Sequence, residues 1–235
     1  MQICNNRMRT AEVDYLQSNV IKRTTLKMQV YEHLKDQIIN GAFKPGERLI
    51  EEKIAESLNV SRSPVREAIR LLEKDGLVIV KRSGGVQVVN PTMDDFKYLF
   101  EYRKEVESAT AYYAAQRRTG KHIAKMQQHI ETMNAIDPND SKTIHQSARV
   151  FHATIAEASE NPFFVYSLSR LQGINTFYRS TIVFRNKSFI QKAVAEHEEI
   201  FEAIKNQNDN LAKQLMREHI ENDYERYLSL LEQRE

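Results

Sequence analysis

Arginines at positions 62, 66 and 70 recur every four residues in the run Val60-Ser61-Arg62-Ser63-Pro64-Val65-Arg66-Glu67-Ala68-Ile69-Arg70. At that spacing a helix carries them on one face and carries Val65, Ala68, Ile69 and Leu72 on the other. A guanidinium is a rigid fork of donors. It matches phosphate oxygens and the O6/N7 edge of guanine, so this face has the chemistry of a reader of a DNA groove. Ser61 or Ser63 has an oxygen able to cap the helix start. Pro64 falls in the first turn, where a missing N–H costs little. A solvated basic face is the plainer reading of the same spacing.

A second set of chemically useful residues is His152, His197 and His219. Each sits on or beside an apolar stripe: His152 next to Phe151 with Ala148, Ile155 and Ala156, His197 among Val194, Ile200 and Ile204, and His219 between Leu215 and Ile220. One such histidine is ordinarily a hydrogen-bonded core residue. Three on three helices point to convergence inside a bundle, where metal sites are built from facing side chains. Spacing alone leaves both readings open. Arg103 and Glu107 stand one turn apart, as an anion-binding guanidinium or as a structural ion pair. Thr176-Phe177-Tyr178-Arg179 offers Tyr178 and Arg179 as further ligands for an anion.

The elements that must position these residues can be read from periodicity and punctuation. Val30, Tyr31, Leu34, Ile38 and Ile39 mark a helix from Met28 to Asn40, stopped by Gly41. Lys44-Pro45-Gly46-Glu47-Arg48-Leu49 reads as a turn into a short extended segment. Glu51 to Leu58 is a second helix, with Ile54, Ala55 and Leu58 inward, and Asn59-Val60 turns the chain into the arginine helix. Gly76 to Val80 and Val86 to Val89 read as strands joined through Ser83-Gly84-Gly85, whose glycines suit a hairpin turn. Three helices and a hairpin form a winged helix-turn-helix. After Asn90-Pro91-Thr92 the chain shows no strand pattern. Six helices are expected, at 93–118, 121–135, 140–159, 161–185, 188–206 and 208–233, forming an antiparallel bundle. Thr92 is a candidate cap, with Asp94 and Asp95 in the first turn.

Composition bounds the function. Seven glycines and five prolines among 235 residues favour a mostly helical chain. A lone cysteine, Cys4, excludes a disulfide framework and suits the cytoplasm. No apolar run spans a bilayer, and the first twenty residues lack the apolar centre of a signal peptide. The net charge of +2 is too small for a general polycation. Residues 25–90 carry eleven Lys and Arg against nine Asp and Glu. Residues 1–24 read as a flexible arm or an extra helix. There is no His-Glu-x-x-His, no phosphate-binding glycine loop and no nucleophile elbow, which leaves an open three-histidine metalloenzyme as the remote enzymatic alternative.

The string Pro45-Gly46-Glu47-Arg48-Leu49, Ala55, Val60 to Ala68, Leu72 and Gly76-Leu77 resembles the DNA-binding domain of the GntR family of bacterial transcription regulators. Arg62-Ser63-Pro64-Val65-Arg66-Glu67-Ala68 is typical of its FadR subfamily. Arg103, Glu107, Phe151-His152, Ala158 to Pro162, Glu196-His197, Ala203-Ile204, Ala212 and His219 resemble the subfamily's FCD ligand-binding domain, in its six-helix VanR-like branch.

The resemblance implies a DNA-binding domain over 25–90 and an effector domain over 91–235. It implies a homodimer on a short pseudo-palindrome of double-stranded DNA, usually repressing until a ligand binds. Many relatives hold a divalent metal through an Asp, a His one turn later and two further His. The histidines map onto His152, His197 and His219, but Ala148 stands in the place of the Asp. Zinc or nickel fits three imidazoles with open positions, and a metal-free pocket is the alternative. Arg48, Ser61, Arg62, Ser63 and Arg66, with Lys81, Arg82 and Gly85 on the wing, are the expected DNA contacts. Arg103, Tyr178 and Arg179 are the expected contacts for a small carboxylate-type effector.

Overall fold

The computed structural model describes residues 24–82, 84–137, 140–182 and 187–232, so the expected N-terminal arm lies outside it. The side chain of Arg179 also falls outside the described residues. Helix α1 spans Leu26–Ile39, β1 Arg48–Leu49, α2 Glu51–Ser57, α3 Arg62–Lys74, β2 Val78–Val80 and β3 Val86–Val88. Six helices follow: α4 Met93–Arg117, α5 Gly120–Ala135, α6 Ser141–Ala158, α7 Pro162–Ile182, α8 Lys187–Lys205 and α9 Asp209–Glu232. The expected boundaries hold to within two residues, except that the expected helix ends at 185 and 233 lie outside the described residues.

The stripe on α3 does what its spacing requires. Val65, Ala68, Ile69 and Leu72 are all buried against α1 and α2, joined by Val30, Leu34, Ile38, Ile54 and Ala55. Truncating Ile69 to alanine therefore leaves a cavity in a packed core, a change that costs about 2–5 kcal/mol. Asn59 takes φ 51° in the turn before α3. Ser61 is the N-cap residue of α3, but its hydroxyl makes no capping hydrogen bond.

The wing is larger than the expected hairpin. Leu49 pairs with Val86 and Val78 with Val88, so β1 completes a three-stranded antiparallel sheet in the order β1-β3-β2. Gly84 and Gly85 take φ 86° and 100° in the wing turn, as the glycines there require.

In the bundle, α4 lies along α9 and also packs on α6, α7 and α8. Its start is fixed by a capping box: the Thr92 hydroxyl accepts from Asp95 N at 3.1 Å, and the Thr92 backbone N–H donates to the Asp95 carboxylate at 2.9 Å. Phe96 and Phe100 form an aromatic cluster with Tyr224 and Tyr227 of α9.

Helix α7 is the element that touches both halves. Arg170 donates to the backbone carbonyl of Lys74, the last residue of α3. A Cβ placed on Gly173 would lie 3.5 Å from Cε of Lys35 on α1 and 3.6 Å from Cδ1 of Leu77. The same corner is held from the other side, where the Tyr31 hydroxyl donates to the Asp75 carboxylate and accepts from Lys35 Nζ at 2.8 Å. No described helix is long and apolar enough to cross a membrane.

Candidate functional site

Arg62, Ser63, Arg66, Glu67 and Arg70 line one shallow concavity on the exposed side of α3. Ser61, Arg62, Ser63 and Arg66 are all solvent-exposed. Because Ser61 is not spent on capping, its hydroxyl stays available at the leading end of the helix. Arg48 lies beside the wing turn: a Cβ on Gly85 would stand 3.4 Å from its Nε and Nη2, so the guanidinium packs directly over that glycine. Lys81 N donates to Gly85 O at 2.9 Å, closing the turn, and the side chains of Lys81 and Arg82 are exposed there. The eight expected DNA contacts thus fall on the exposed arginine face of α3 and around the wing turn. The sequence did not reveal that Glu51 and Glu52 of α2 would reach across to Arg66 and Arg62, at 3.3 and 3.6 Å.

Inside the bundle, α6, α8 and α9 bring His152, His197 and His219 together. The Nε2 atoms of His152 and His197 are 3.1 Å apart, as are those of His197 and His219. One nitrogen from each of the three lies within 4.8 Å of the others. His197 and His219 are each only 2% exposed.

The outer nitrogens of two of these rings meet carboxylates. His152 Nδ1 is 2.6 Å from Glu107 Oε2, and His219 Nδ1 is 2.7 Å from Glu196 Oε2. Glu196 is held in turn by Arg226 and by Asn222 at 2.9 Å. Burial raises the Glu107 carboxyl, but the charges and hydrogen bonds of Arg103 and His152 together outweigh this and hold it below the usual range. Burial pushes the His152 imidazole down, against the opposing pull of Glu107. Burial also raises Glu196, and hydrogen bonds from His219 and Arg226 reverse the shift.

An ionised carboxylate at Nδ1 draws the imidazole proton to that nitrogen and leaves the Nε2 lone pair facing inward. Two lone pairs therefore point at His197 Nε2, which can donate to only one of them. The unfilled lone pair suits a cation, and a tetrahedral ion with Zn–N of about 2.0–2.1 Å needs the two 3.1 Å pairs only a few tenths of an ångström further apart.

Of the expected effector contacts, Arg103 is 3% exposed, and its ion pair with Glu107 is present. Its Nε donates to Glu107 Oε1 at 2.7 Å, while its Nη1 is buried without a partner. Tyr178 is buried, and its hydroxyl is pushed up by burial and by Asp95 in the first turn of α4. One turn earlier on α7, the buried Oδ1 of Asn175 has no partner. Asn175 was not singled out from sequence, and Glu196 entered only as part of the FCD-like motif, with no role given. Glu196 had a signal, since it adjoins His197, but its partner His219 lies 23 residues away on another helix.

Residues 26–88 match the gntR family of bacterial regulatory proteins, and residues 98–222 match the FCD domain. The chain is 31% identical over 214 residues to the HTH-type transcriptional regulator YdhC of Bacillus subtilis, covering 90% of this chain and 95% of that one. The protein belongs to the GntR family of transcription regulators. Its winged helix-turn-helix binds DNA, and its FCD domain is the C-terminal effector domain, the FadR-like arrangement. The Uxu operon transcriptional regulator of Escherichia coli is 30% identical over 215 residues, covering 83% of this chain and 84% of its own. Among solved structures, a putative GntR regulator from Rhodococcus sp. RHA1 superposes with a TM-score of 0.73 at 26% identity, covering 88% of this chain and 99% of that one. E. coli McbR/YncC shares the fold, with a TM-score of 0.71 at 24% identity over 90% and 99% of the two chains.

Proposed function

We propose that this regulator is a cytoplasmic homodimeric repressor whose operator affinity is set by a small carboxylate-type anion bound in the FCD domain over residues 91–235. The observation that carries this reading is the convergence of three imidazole Nε2 atoms in the bundle, with a carboxylate behind two of the rings. His152, His197 and His219 would hold zinc or nickel, and the bound ion would supply a Lewis-acid anchor for the anion. Arg103 Nη1, buried and unpartnered, would add a donor for the same charge, and Tyr178 and Arg179 of α7 are the further proposed contacts.

On the DNA side, Arg62 and Arg66 would read base edges, while Ser61, Ser63, Arg48, Lys81, Arg82 and Gly85 would meet backbone or groove. One such domain over residues 25–90 reads few bases, so two copies on a pseudo-palindrome are needed for specificity. The effector would act by binding one relative pose of the domains better than another, and α7 is the route. It carries Tyr178 about 12 Å along its axis from Arg170, at about 1.5 Å per residue.

Elemental analysis of protein purified without chelators or affinity nickel tests the centre. Near-stoichiometric metal that disappears in a His152→Ala, His197→Ala, His219→Ala triple variant is the expected result. No metal, and none taken up from zinc or nickel solutions, would overturn the metal site. A metal-free pocket on Arg103 and the histidines is the second reading, favoured by Ala148 one turn before His152, where an anionic ligand would otherwise stand.

A further inference from the structure

The first turn of α2 presents two carboxylates to the arginine face of α3. Arg66 Nε donates to Glu51 Oε2 at 3.3 Å, and Arg62 Nη1 lies 3.6 Å from Glu52 Oε1. Glu51 is the more enclosed, its side chain 23% exposed against 57% for Arg66. Glu67, inside the same concavity, is engaged by Lys27 at 3.5 Å instead.

These contacts have two consequences for DNA. First, a guanidinium has five donors in a fixed fork. With Nε committed to Glu51, Arg66 keeps both terminal NH2 groups for the O6/N7 edge of guanine, and its swing is restricted. Second, a phosphate that approaches Arg66 or Arg62 meets the charge of Glu51 or Glu52, whereas an uncharged guanine edge does not. Grip on an arbitrary duplex comes from cations that replace counterions. Here that grip is weakened at the two arginines best placed to supply it. The near balance of residues 25–90, eleven basic against nine acidic, agrees with this.

The geometry points to Glu51 and Glu52 as specificity-determining residues that act through the arginines. Glu51 positions Arg66 for a guanine edge, and both carboxylates hold down affinity for duplex of arbitrary sequence. This rests on the reading of α3 as the helix that contacts DNA.

The test uses the full chain. A preferred site is selected with the wild-type protein from a random-sequence duplex pool. Wild type, Glu51→Ala, Glu51→Gln, Glu52→Gln and Arg66→Ala are then titrated on that site, on its single-base variants and on random duplex, across a salt series. Glu51→Gln keeps an acceptor for Nε and removes the charge. It should retain the wild-type base preferences and bind random duplex more tightly, with a log–log salt slope steeper by about 0.9, one additional phosphate contact. Glu52→Gln should do the same. Glu51→Ala loses the acceptor and should flatten the preference at one G·C pair by about tenfold, within the range of a lost bidentate contact.

Unchanged base preferences in Glu51→Ala would overturn the positioning role. Wild-type affinity and slope of both glutamine variants on random duplex would overturn the repulsive one. Arg66→Ala separates these outcomes from the reading beneath them. If it still selects the same bases, α3 is not the reader. If it loses them while Glu51→Ala does not, only the role of Glu51 fails.

Discussion

At Arg103 one guanidinium is only partly satisfied. Its Nε is fixed on Glu107, while one Nη1 is left buried with nothing to bond. A buried donor without a partner costs about 1–3 kcal/mol, a penalty that a bound anion would remove. Arg103→Lys keeps the charge but loses the fork. Isothermal titration should then show lost binding of a small carboxylate, with no such loss in the exposed control Lys97→Ala. Glu107 is the harder residue to change. Glu107→Ala strands Arg103 as an uncompensated buried charge, and urea unfolding should show a loss of about 3–5 kcal/mol. On the DNA face, Arg66→Ala should leave urea unfolding unchanged within about 0.5 kcal/mol, because the side chain is exposed. The same variant should lose sequence-specific binding in gel shifts at physiological salt. The histidines and arginines were legible because their types are rare at those positions in an amphipathic pattern. Glu51, Glu52 and Glu196 were not, because a glutamate on a helix surface reads as ordinary until the facing helix is known.

Helix starts and stops were the most legible elements. Thr92 reads as a helix cap and is one, with Asp95 closing the capping box. The Thr92 side-chain hydrogen bond, then its backbone hydrogen bond, hold the Asp95 carboxyl below its usual range. A depressed folded pKa gives stability that is present above the unfolded value of about 3.9 and is lost as pH falls through the lower folded one. Thr92→Ala should therefore cost about 1 kcal/mol near neutral pH, and less in acid, in thermal unfolding followed by circular dichroism. Strand β1 was read only as an extended segment, because two residues carry no alternation to recognise. The docking of α7 on the DNA-binding domain was also hidden, since Gly173 in a helix reads as a mild defect. Its open Cβ direction, 3.5–3.6 Å from Lys35 and Leu77, predicts opposite signs for two substitutions. Gly173→Ala fits that contact and gains helix propensity, so its melting temperature should rise or hold. Gly173→Leu has no space and should destabilise by about 1–3 kcal/mol.

For the whole molecule, the order of winged helix-turn-helix and then bundle was readable from the change of hydrophobic period near Asn90. How the two halves meet was not, because that depends on shape at a corner built from Tyr31, Lys35, Asp75, Arg170 and Gly173. A dimer in solution should appear as twice the chain mass of 27.4 kDa in light scattering. A monomer that binds operator with full specificity would contradict the two-copy reading.

The grip of Arg170 on the end of α3 bears on how such regulators can be recombined. A sensor graft is naturally cut at the Asn90-Pro91 joint, as though the reading head and the sensor were beads on a string. In this protein the seam that matters lies some eighty residues later, on one face of α7. A chimera that keeps the native linker but imports a foreign α7 would join two working parts with no gear between them. Transplanting Arg170 and Gly173 along with the reading head is the smallest graft that keeps the teeth engaged.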